Sequence, residues 1–428
     1  MTALRDLLRN NARQYGMVMA LAIIVILFEI LTGGLLLQPL NITNLILQNS
    51  YILILAIGMM LVIITGHIDL SVGSVVAFVG AVSAVMLTSW GLPTPVVVVL
   101  ALGLGALIGA WQGFWIAYVR IPAFIVTLAG MLVFRGATMI VLGGESIGPL
   151  PDGLRAIGTG YLPDLTNASV HVLTLVMGIA ASAAIVWSQW RSRARGLRYG
   201  LPVSSFNLFI TKVVATAVVV NVFTLVLALY NGIPIIGVLL IGLIVVFSFT
   251  MNSTTAGRHV YAVGGNEKAA MLSGVKTKRT TFWVFVSMGS LSALAGLVFM
   301  ARLNAATPKA GTMFELDAIA AAFIGGASAT GGVGTVIGAV VGAFVMGVMN
   351  NGMSLIGLGV DWQQTIKGLV LLAAVAFDIY NKNRIGAGRP LIGLRRTGTP
   401  PPEPTGTPAT SDTDDTDHPE LATPPSRQ

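Results

Sequence analysis

The stretch LILQNSYILILAIGMMLVIIT, from Leu45 to Thr65, contains no charged side chain and is dominated by Leu, Ile, Val and Met. A helix needs about 20 apolar residues to cross a hydrocarbon core about 30 Å thick. Backbone N–H and C=O groups in that core must be bonded within the protein, and a helix bonds its own. The stretch therefore predicts a transmembrane helix.

Runs of this kind recur along the chain up to Tyr380. With 55% hydrophobic residues, 10% charged residues and a mean hydropathy of +0.83, the sequence is too apolar for a soluble protein. We assign it to the all-α polytopic membrane proteins. The ten predicted transmembrane helices are Met17–Leu37, Leu45–Thr65, Val72–Trp90, Pro95–Tyr118, Phe124–Leu142, Val170–Trp187, Val213–Tyr230, Ile235–Thr250, Phe282–Met300 and Thr365–Tyr380.

The apolar segment Ala318–Asn350 leaves the number of crossings open. The pair Gly325-Gly326 and the glycine-rich cluster Gly331–Gly334 interrupt it. It is either a broken, re-entrant hairpin or two further crossings, so the total is ten or twelve. Glycines also recur every four residues, which predicts close helix–helix contacts. These glycines are Gly105, Gly109 and Gly113, and then Gly334, Gly338 and Gly342.

Basic residues predict the orientation and the domain organisation. With the N-terminus inside, 19 of the 24 Lys and Arg residues that precede Thr399 fall on the cytoplasmic side, and the C-terminus is also inside. The basic start, with Arg5, Arg9 and Arg13, is interpreted as part of an uncleaved first helix. Residues 1–386 form the predicted membrane domain. Residues 387–428 form a Pro/Thr/Asp-rich cytoplasmic tail that we predict to be disordered.

The sequence lacks the residue patterns of enzymes. No GxxxxGK[ST] loop is present, so the chain does not bind ATP in the Walker manner, and its four histidines show no metal-ligand spacing. The absence of cysteine excludes disulfides and thiolate metal sites. We predict no catalytic, cofactor or metal site. The basic residues lie between apolar spans, which indicates membrane orientation and not nucleic-acid binding.

Charged residues within the predicted spans are few. Glu29, Arg135 and Lys367 are the candidates for the intramembrane charges that an ion-coupled transporter needs. Each also has a structural interpretation, as a polar contact between helices, a snorkelling side chain, or a residue near the outer end of the last span. The scarcity of such charges favours a neutral solute and an external source of energy.

Four short motifs carry a resemblance to a known family. The first, Thr65–Ser74 (TGHIDLSVGS), interrupts two apolar spans with polar and small residues, and either Asp69 or Ser71 is expected to cap the next helix. It resembles the I-D-L-S-V-G-S signature of the ribose/xylose/galactose class of ABC importer permeases. The other three matches follow in the same order and are Ile121–Met131 (IPAFIVTLAGM), Gly257–Val275 (GRHVYAVGGNEKAAMLSGV) and Glu315–Gly326 (ELDAIAAAFIGG).

The resemblance covers about Leu45 to Asn383 and is closest to the xylose-type permeases. Gly109–Trp115 (GAWQGFW) and the basic insert at Arg191–Arg198 carry that preference, whereas His67 and the acidic tail depart from the pattern. The resemblance implies a multi-pass permease subunit that imports a xylose-like monosaccharide across the bacterial cytoplasmic membrane. It also implies three partners: a second permease copy, for which a homodimer is the simplest arrangement, a cytoplasmic ABC ATPase, and an extracytoplasmic sugar-binding protein.

The segment Asn252–Arg279 lies on the basic, predicted inner side, and Asn266–Ser273 is predicted to be a short helix. Given the resemblance, we interpret it as the helix that inserts into the ATPase, with charged residues at the rim and apolar anchors. The alternative is an ordinary interfacial helix. The predicted ATPase-coupling residues are Arg258, Asn266, Glu267, Lys268, Met271, Leu272, Ser273 and Gly274.

The solute pathway is expected at the broken elements, because unwound backbone at membrane depth survives only where protein or a water-filled cavity satisfies it. A neutral sugar needs hydrogen-bonding partners there and not charges. The predicted pathway residues are Asp69, Ser71, Ser74, Thr127, Asn350 and Asn351.

Two other functions remain open at this point. An ion-coupled secondary sugar transporter would work without an ATPase. A membrane enzyme acting on lipid-linked sugars would need clustered carboxylates or metal ligands on an outer loop. The loop Gly143–Ser169 offers only Glu145, Asp152 and Asp164, which are scattered.

Overall fold

The computed structural model of the protein describes residues 12–164, 170–201, 203 and 205–386. Within these residues the secondary structure is helical, and the only β-type pairings are two isolated bridges, Ile147 to Ala306 and Tyr161 to Pro234. The all-α prediction is confirmed. Arg5, Arg9 and the predicted tail from residue 387 onward lie outside the described residues.

The helices of the described part are α1 (Ala12–Leu31), α2 (Pro39–Ile64), α3 (Val72–Thr88), α4 (Thr94–Phe114, continued by a π-helical turn over Trp115–Val119), α5 (Ala123–Leu142), α6 (Asp152–Thr159), α7 (Val172–Arg198), α8 (Phe206–Ala228), α9 (Ile235–Ser253), α10 (Thr255–Gly265), α11 (Glu267–Leu272), α12 (Thr277–Leu303), α13 (Phe314–Ile324), α14 (Val336–Leu355) and α15 (Val360–Gly386).

Each predicted span coincides with one helix, although the first helix ends at Leu31 and not at the predicted Leu37, and several helices extend beyond the predicted ends. Helix α7, for example, continues from the predicted end at Trp187 through a basic stretch to Arg198. Eight helices of the described part are long and apolar enough to cross a membrane: α2, α4 with its π-helical turn, α5, α7, α8, α9, α12 and α14. Helices α1 and α3 add shorter apolar segments. The N-in, C-in orientation stays a prediction.

The glycine-rich segment is asymmetric. Its first arm, α13, has 11 residues, whereas its second arm, α14, has 20 and is long enough to cross a membrane. The two arms pack closely because Gly338 lies against the carbonyl of Gly325, and Gly342 against the carbonyl of Ala321. The segment is therefore one half-length helix joined to one full-length helix.

Helices α2 and α12 form the centre of the bundle. Of the 18 residues that make up the apolar stretch of α2, 89% are buried, so this helix is surrounded by protein and not by lipid. Helix α12 meets α4 at very short range, because Gly105 faces the carbonyl of Gly289 and Gly109 faces the carbonyl of Phe285. The predicted contacts of the four-residue glycine repeats are thus confirmed in α4 and in α14.

The contact between α4 and α12 generates a stability prediction. We expect Gly109→Leu to lower the free energy of unfolding by about 1–3 kcal/mol, because its Cβ would collide with backbone atoms of Phe285 and Val286. Thermal unfolding of the purified protein in detergent measures the effect. The matched control is Gly103→Leu on the same helix, where a Cβ meets nothing within 4 Å. Equal unfolding temperatures for the two variants would contradict this packing.

Candidate functional site

The segment between α9 and α12 folds into two short helices. Thr254 caps α10, its Oγ1 accepting from the backbone N–H of Gly257 at 3.4 Å. Asn266 caps α11, its Oδ1 accepting from the backbone N–H of Ala269 at 3.0 Å. Gly274, at φ +85°, ends α11 in the left-handed conformation that glycine adopts without strain. We call α10, α11 and these caps the coupling segment.

Helix α11 presents its apolar side chains to the outside. Leu272 is 85% exposed and Met271 is 54% exposed, whereas Ala270 is buried against the bundle. An exposed Leu and Met side by side on a helix end is a surface that gains free energy when a partner covers it. The other predicted coupling residues, Arg258, Asn266, Glu267, Lys268, Ser273 and Gly274, are also exposed.

Helix α10 fixes the coupling segment to the bundle by backbone contacts. Gly264 lies against the carbonyl of Ile64, the last residue of α2, so closely that a Cβ has no room. The same carbonyl accepts from the backbone N–H of Gly332 at 2.8 Å. The Tyr261 hydroxyl donates to the carbonyl of Gly334 at 2.7 Å, and burial raises the pKa of this phenol, so it remains a donor. The coupling segment is thus joined to both α2 and the broken hairpin.

A cavity of about 580 Å³ opens between α11 and the break after α2. We call it the coupling-end cavity. Its walls include His67, the Ile121–Phe124 segment and the predicted coupling residues Glu267, Lys268 and Met271. Burial lowers the pKa of His67, while the nearby Glu267 carboxylate acts in the opposite direction, so the imidazole is neutral near pH 7. Three of the four sequence motifs therefore meet around one cavity.

The break between α2 and α3 is stabilised by a buried polar network. Asp69 Oδ1 accepts from the Ser71 backbone N–H at 2.8 Å and from the Ser71 hydroxyl at 2.6 Å. The Ser71 Oγ accepts in turn from Gln112 Nε2 at 2.7 Å. Thr127 Oγ1 donates to the Ala123 carbonyl at 2.9 Å and lies 3.4 Å from the Ile68 carbonyl. All of these polar side chains are at most 2% exposed.

The expected cap of α3 is wrong in detail. Ser71 occupies the N-cap position, but its side chain makes no capping bond to the helix. Asp69 instead bonds Ser71 itself, which closes a tight turn ahead of the helix. The role of Gln112 was not predicted from the sequence. The only indication there is a single amide side chain within an otherwise apolar helix.

Comparison with known proteins identifies the family. A family described as "Branched-chain amino acid transport system / permease component" matches residues 41–375. The xylose transport system permease protein XylH of Haemophilus influenzae is 41% identical over 88% of this chain and 98% of its own length. The chain belongs to the xylose/ribose-type ABC permeases.

Further relatives agree with this assignment. The Escherichia coli K12 XylH permease is 41% identical over 87% of this chain and 93% of its own length. The ribose import permease protein RbsC of Bacillus subtilis is 33% identical over 86% of this chain and 92% of its own length. No solved structure matches the permease significantly. Family and apolar helices together identify it as a multi-pass protein of the bacterial inner membrane.

The remaining predicted pathway residues of the permease make no contact with the Asp69 network in the described part of the chain. Asn351 forms a reciprocal amide pair, at 2.9 and 3.0 Å, with Asn41 in the first turn of α2, whereas the Asp69 break follows the last turn of that helix. Asn350 lies beside Asp317. The Ser74 hydroxyl is buried and has no hydrogen-bond partner within the described residues. The structure therefore brings together Asp69, Ser71 and Thr127, and separates Asn350 and Asn351 from them.

The charged residues within the spans of the permease make specific contacts. Glu29 Oε2 accepts from the Leu37 backbone N–H at 2.9 Å, beyond the end of α1. Arg135 Nη1 donates to the Ala310 carbonyl at 2.6 Å, joining α5 to the segment before α13. Lys367 Nζ pairs with Asp317 at 3.0 Å. Arg135 and Lys367 thus join separate segments of the bundle, whereas Glu29 bonds the connection that follows its own helix.

Proposed function

We propose that the chain is the translocating subunit of an ATP-driven importer that carries a xylose-like monosaccharide into the bacterial cytoplasm. Membership in the xylose/ribose-type permeases supports this function and does not support the secondary-carrier alternative. The relatives named above are xylose and ribose permeases, which is the basis for the choice of sugar class. The observation that carries the mechanism is the coupling segment, which joins an exposed apolar helix to backbone atoms of the bundle core.

ATP hydrolysis takes place in a separate subunit, because the chain has no Walker loop. That subunit binds at α11, where Met271 and Leu272 insert into its surface and Glu267 and Lys268 lie at the rim. The two apolar side chains each contribute about 1.5–3 kcal/mol when fully covered. The second permease copy and a sugar-binding protein on the opposite face complete the importer.

Movement of the ATPase reaches the pathway through backbone contacts. A displacement of α10 acts directly on the end of α2, since Gly264 and the Ile64 carbonyl touch without an intervening side chain. It also acts on the broken hairpin through the bond from Gly332 to Ile64. Closely packed groups transmit displacement because protein interiors are hardly compressible. The α2 end, the break after it and the hairpin turn therefore move as one unit.

The sugar leaves the pathway through the coupling-end cavity. Its volume, about 580 Å³, falls within the range of about 300–1,000 Å³ that is typical of small-molecule pockets. The network of Asp69, Ser71, Gln112 and Thr127 lies directly behind the cavity wall, and the residues next to it, Ile68 and Ala123, line the cavity. This network sets the conformation of the break that a passing sugar meets.

Reconstitution tests the function directly. The chain is placed in proteoliposomes with its candidate ATPase and sugar-binding protein, and uptake of labelled xylose is measured with and without ATP on the ATPase side. We expect uptake to require ATP and both partners. Uptake by the chain alone under a proton or sodium gradient would identify a secondary carrier and overturn the proposal.

The coupling helix is tested by a double substitution. We expect Met271→Asp with Leu272→Asp to reduce co-purification of the ATPase at least tenfold, about 1.4 kcal/mol, because two charges replace the apolar anchors. The matched control places the same two charges at exposed positions of another connection, Tyr199→Asp with Leu201→Asp. Membrane insertion is checked by yield and gel filtration. Wild-type co-purification of the Met271/Leu272 variant would refute the docking site.

The network at the break is tested by Gln112→Leu and, separately, Thr127→Val. Loss of the Gln112 amide leaves the buried Ser71 oxygen without its donor, a cost of about 1–3 kcal/mol, so we expect uptake to fall about tenfold or more. Co-purification of the ATPase should not change. Gln38→Leu is the control, because the same substitution is made at an exposed position. If both variants transported sugar at the wild-type rate, the network would not belong to the pathway.

A further inference from the structure

The hairpin of α7 and α8 lies at the periphery of the bundle. In the apolar 18-residue stretches of these helices, only 17% of the residues of α7 and 11% of those of α8 are buried, whereas 89% are buried in α2. The two helices pack mainly on each other, with Gly178 against the Thr224 side chain. Most of their surface is therefore left uncovered by the rest of the described chain.

One end of this hairpin is strongly basic. Helix α7 has 27 residues and is about 40 Å long, so its last turns extend beyond a hydrocarbon core about 30 Å thick. The sequence between residues 172 and 228 contains no Asp or Glu. Its basic residues are Arg191, Arg193, Arg195, Arg198 and Lys212.

The arginines of α7 fall into two groups. Arg193 is half-buried, and its guanidinium lies 5.8 Å from the ring centre of Phe206 and 4.9 Å from that of Phe209, so it joins α7 to α8. Arg191, Arg195 and Arg198 are exposed. Their spacing of four and three residues aligns them along one face of the helix.

Trp187 extends this face toward the apolar part of α7. It lies four residues before Arg191, and the Arg191 guanidinium is 4.8 Å from its ring centre. Farther along the same face, Val176 and Ile179 are 56% and 61% exposed. We call Trp187, Arg191, Arg195 and Arg198 the arginine stripe. This basic surface continues along α7 into the exposed apolar surface that includes Val176 and Ile179.

We propose that the arginine stripe binds the headgroup of an anionic phospholipid, with an acyl chain lying along Val176 and Ile179. Guanidinium groups bind phosphate oxygens in a bidentate manner, and clustered basic residues next to a membrane span attract anionic lipid. Tryptophan is typical of the headgroup level, where Trp187 lies between the two kinds of surface. The continuity of charge and apolar area along one helix side fits a lipid molecule and not a protein docking from the helix end.

Lipid selectivity of the purified full-length chain tests this site. Detergent-solubilised protein is titrated with fluorescently labelled phosphatidylglycerol and, separately, phosphatidylcholine, and the lipid bound per protein is measured. We expect the wild type to bind phosphatidylglycerol at least about fivefold more tightly than phosphatidylcholine, because three basic groups attract its negative charge. The triple variant Arg191→Gln, Arg195→Gln, Arg198→Gln should lose that preference. The triple Lys variant at the same positions should keep only part of it, because Lys retains the charge but not the bidentate geometry of Arg.

One control distinguishes binding at the arginine stripe from a general attraction of anionic lipid to positive charge, and a second tests whether the attraction is electrostatic. Arg155→Gln with Lys309→Gln removes positive charge from other loops and should leave the preference unchanged. Raising the salt concentration from about 0.05 to about 0.5 M should weaken the wild-type preference, a readout that needs no variant to fold. Equal binding of the two lipids by the wild type would overturn the proposal. Unchanged lipid selectivity in the triple Gln variant would also overturn the proposal. If that variant also lost ATPase binding, the arginine stripe would be assigned to the partner subunit.

Discussion

The constraint on which the rest of this structure depends is that a helix ending inside a membrane protein must find partners for its last carbonyl groups. At the end of α2 the Ile64 carbonyl accepts from the backbone N–H of Gly332, at 2.8 Å. Gly264 packs against the same carbonyl and against the Gly332 nitrogen, so a Cβ would not fit there. Three segments far apart in sequence are thereby held together at one point by contacts between backbone atoms.

This arrangement explains why the motifs of the sequence lie where they do. The polar break from Thr65 to Ser71 is possible only because α2 stops at that point, and its buried network then needs Gln112 from α4. The coupling segment follows the same backbone contact outward to α11, whose Met271 and Leu272 are exposed. The structure thus connects an exposed helix to a break at the core through packed backbone atoms.

The sequence predicted the elements that composition and spacing determine, and it failed where distant contacts decide. Apolar runs located the long helices, and the caps Asn266 and Gly274 agree with the predicted short helix. The glycine clusters indicated the break after α13, but not that one arm is half-length, because apolar character does not mark depth in the bilayer. Gln112 and the pair of Asp317 with Lys367 were missed because their partners lie 41 and 50 residues away in the chain.

The contacts of the charged residues bear on where the energy for transport enters. Glu29, Arg135 and Lys367 each satisfy a backbone group or a carboxylate of a neighbouring segment. Breaking the pair of Lys367 with Asp317 would leave the buried Asp317 carboxylate uncompensated, at a cost of about 3–5 kcal/mol. Residues with this structural role are poor carriers of an ion gradient. These contacts agree with the proposal that the free energy for transport arrives through the exposed apolar helix, which is fixed to the core by backbone contacts.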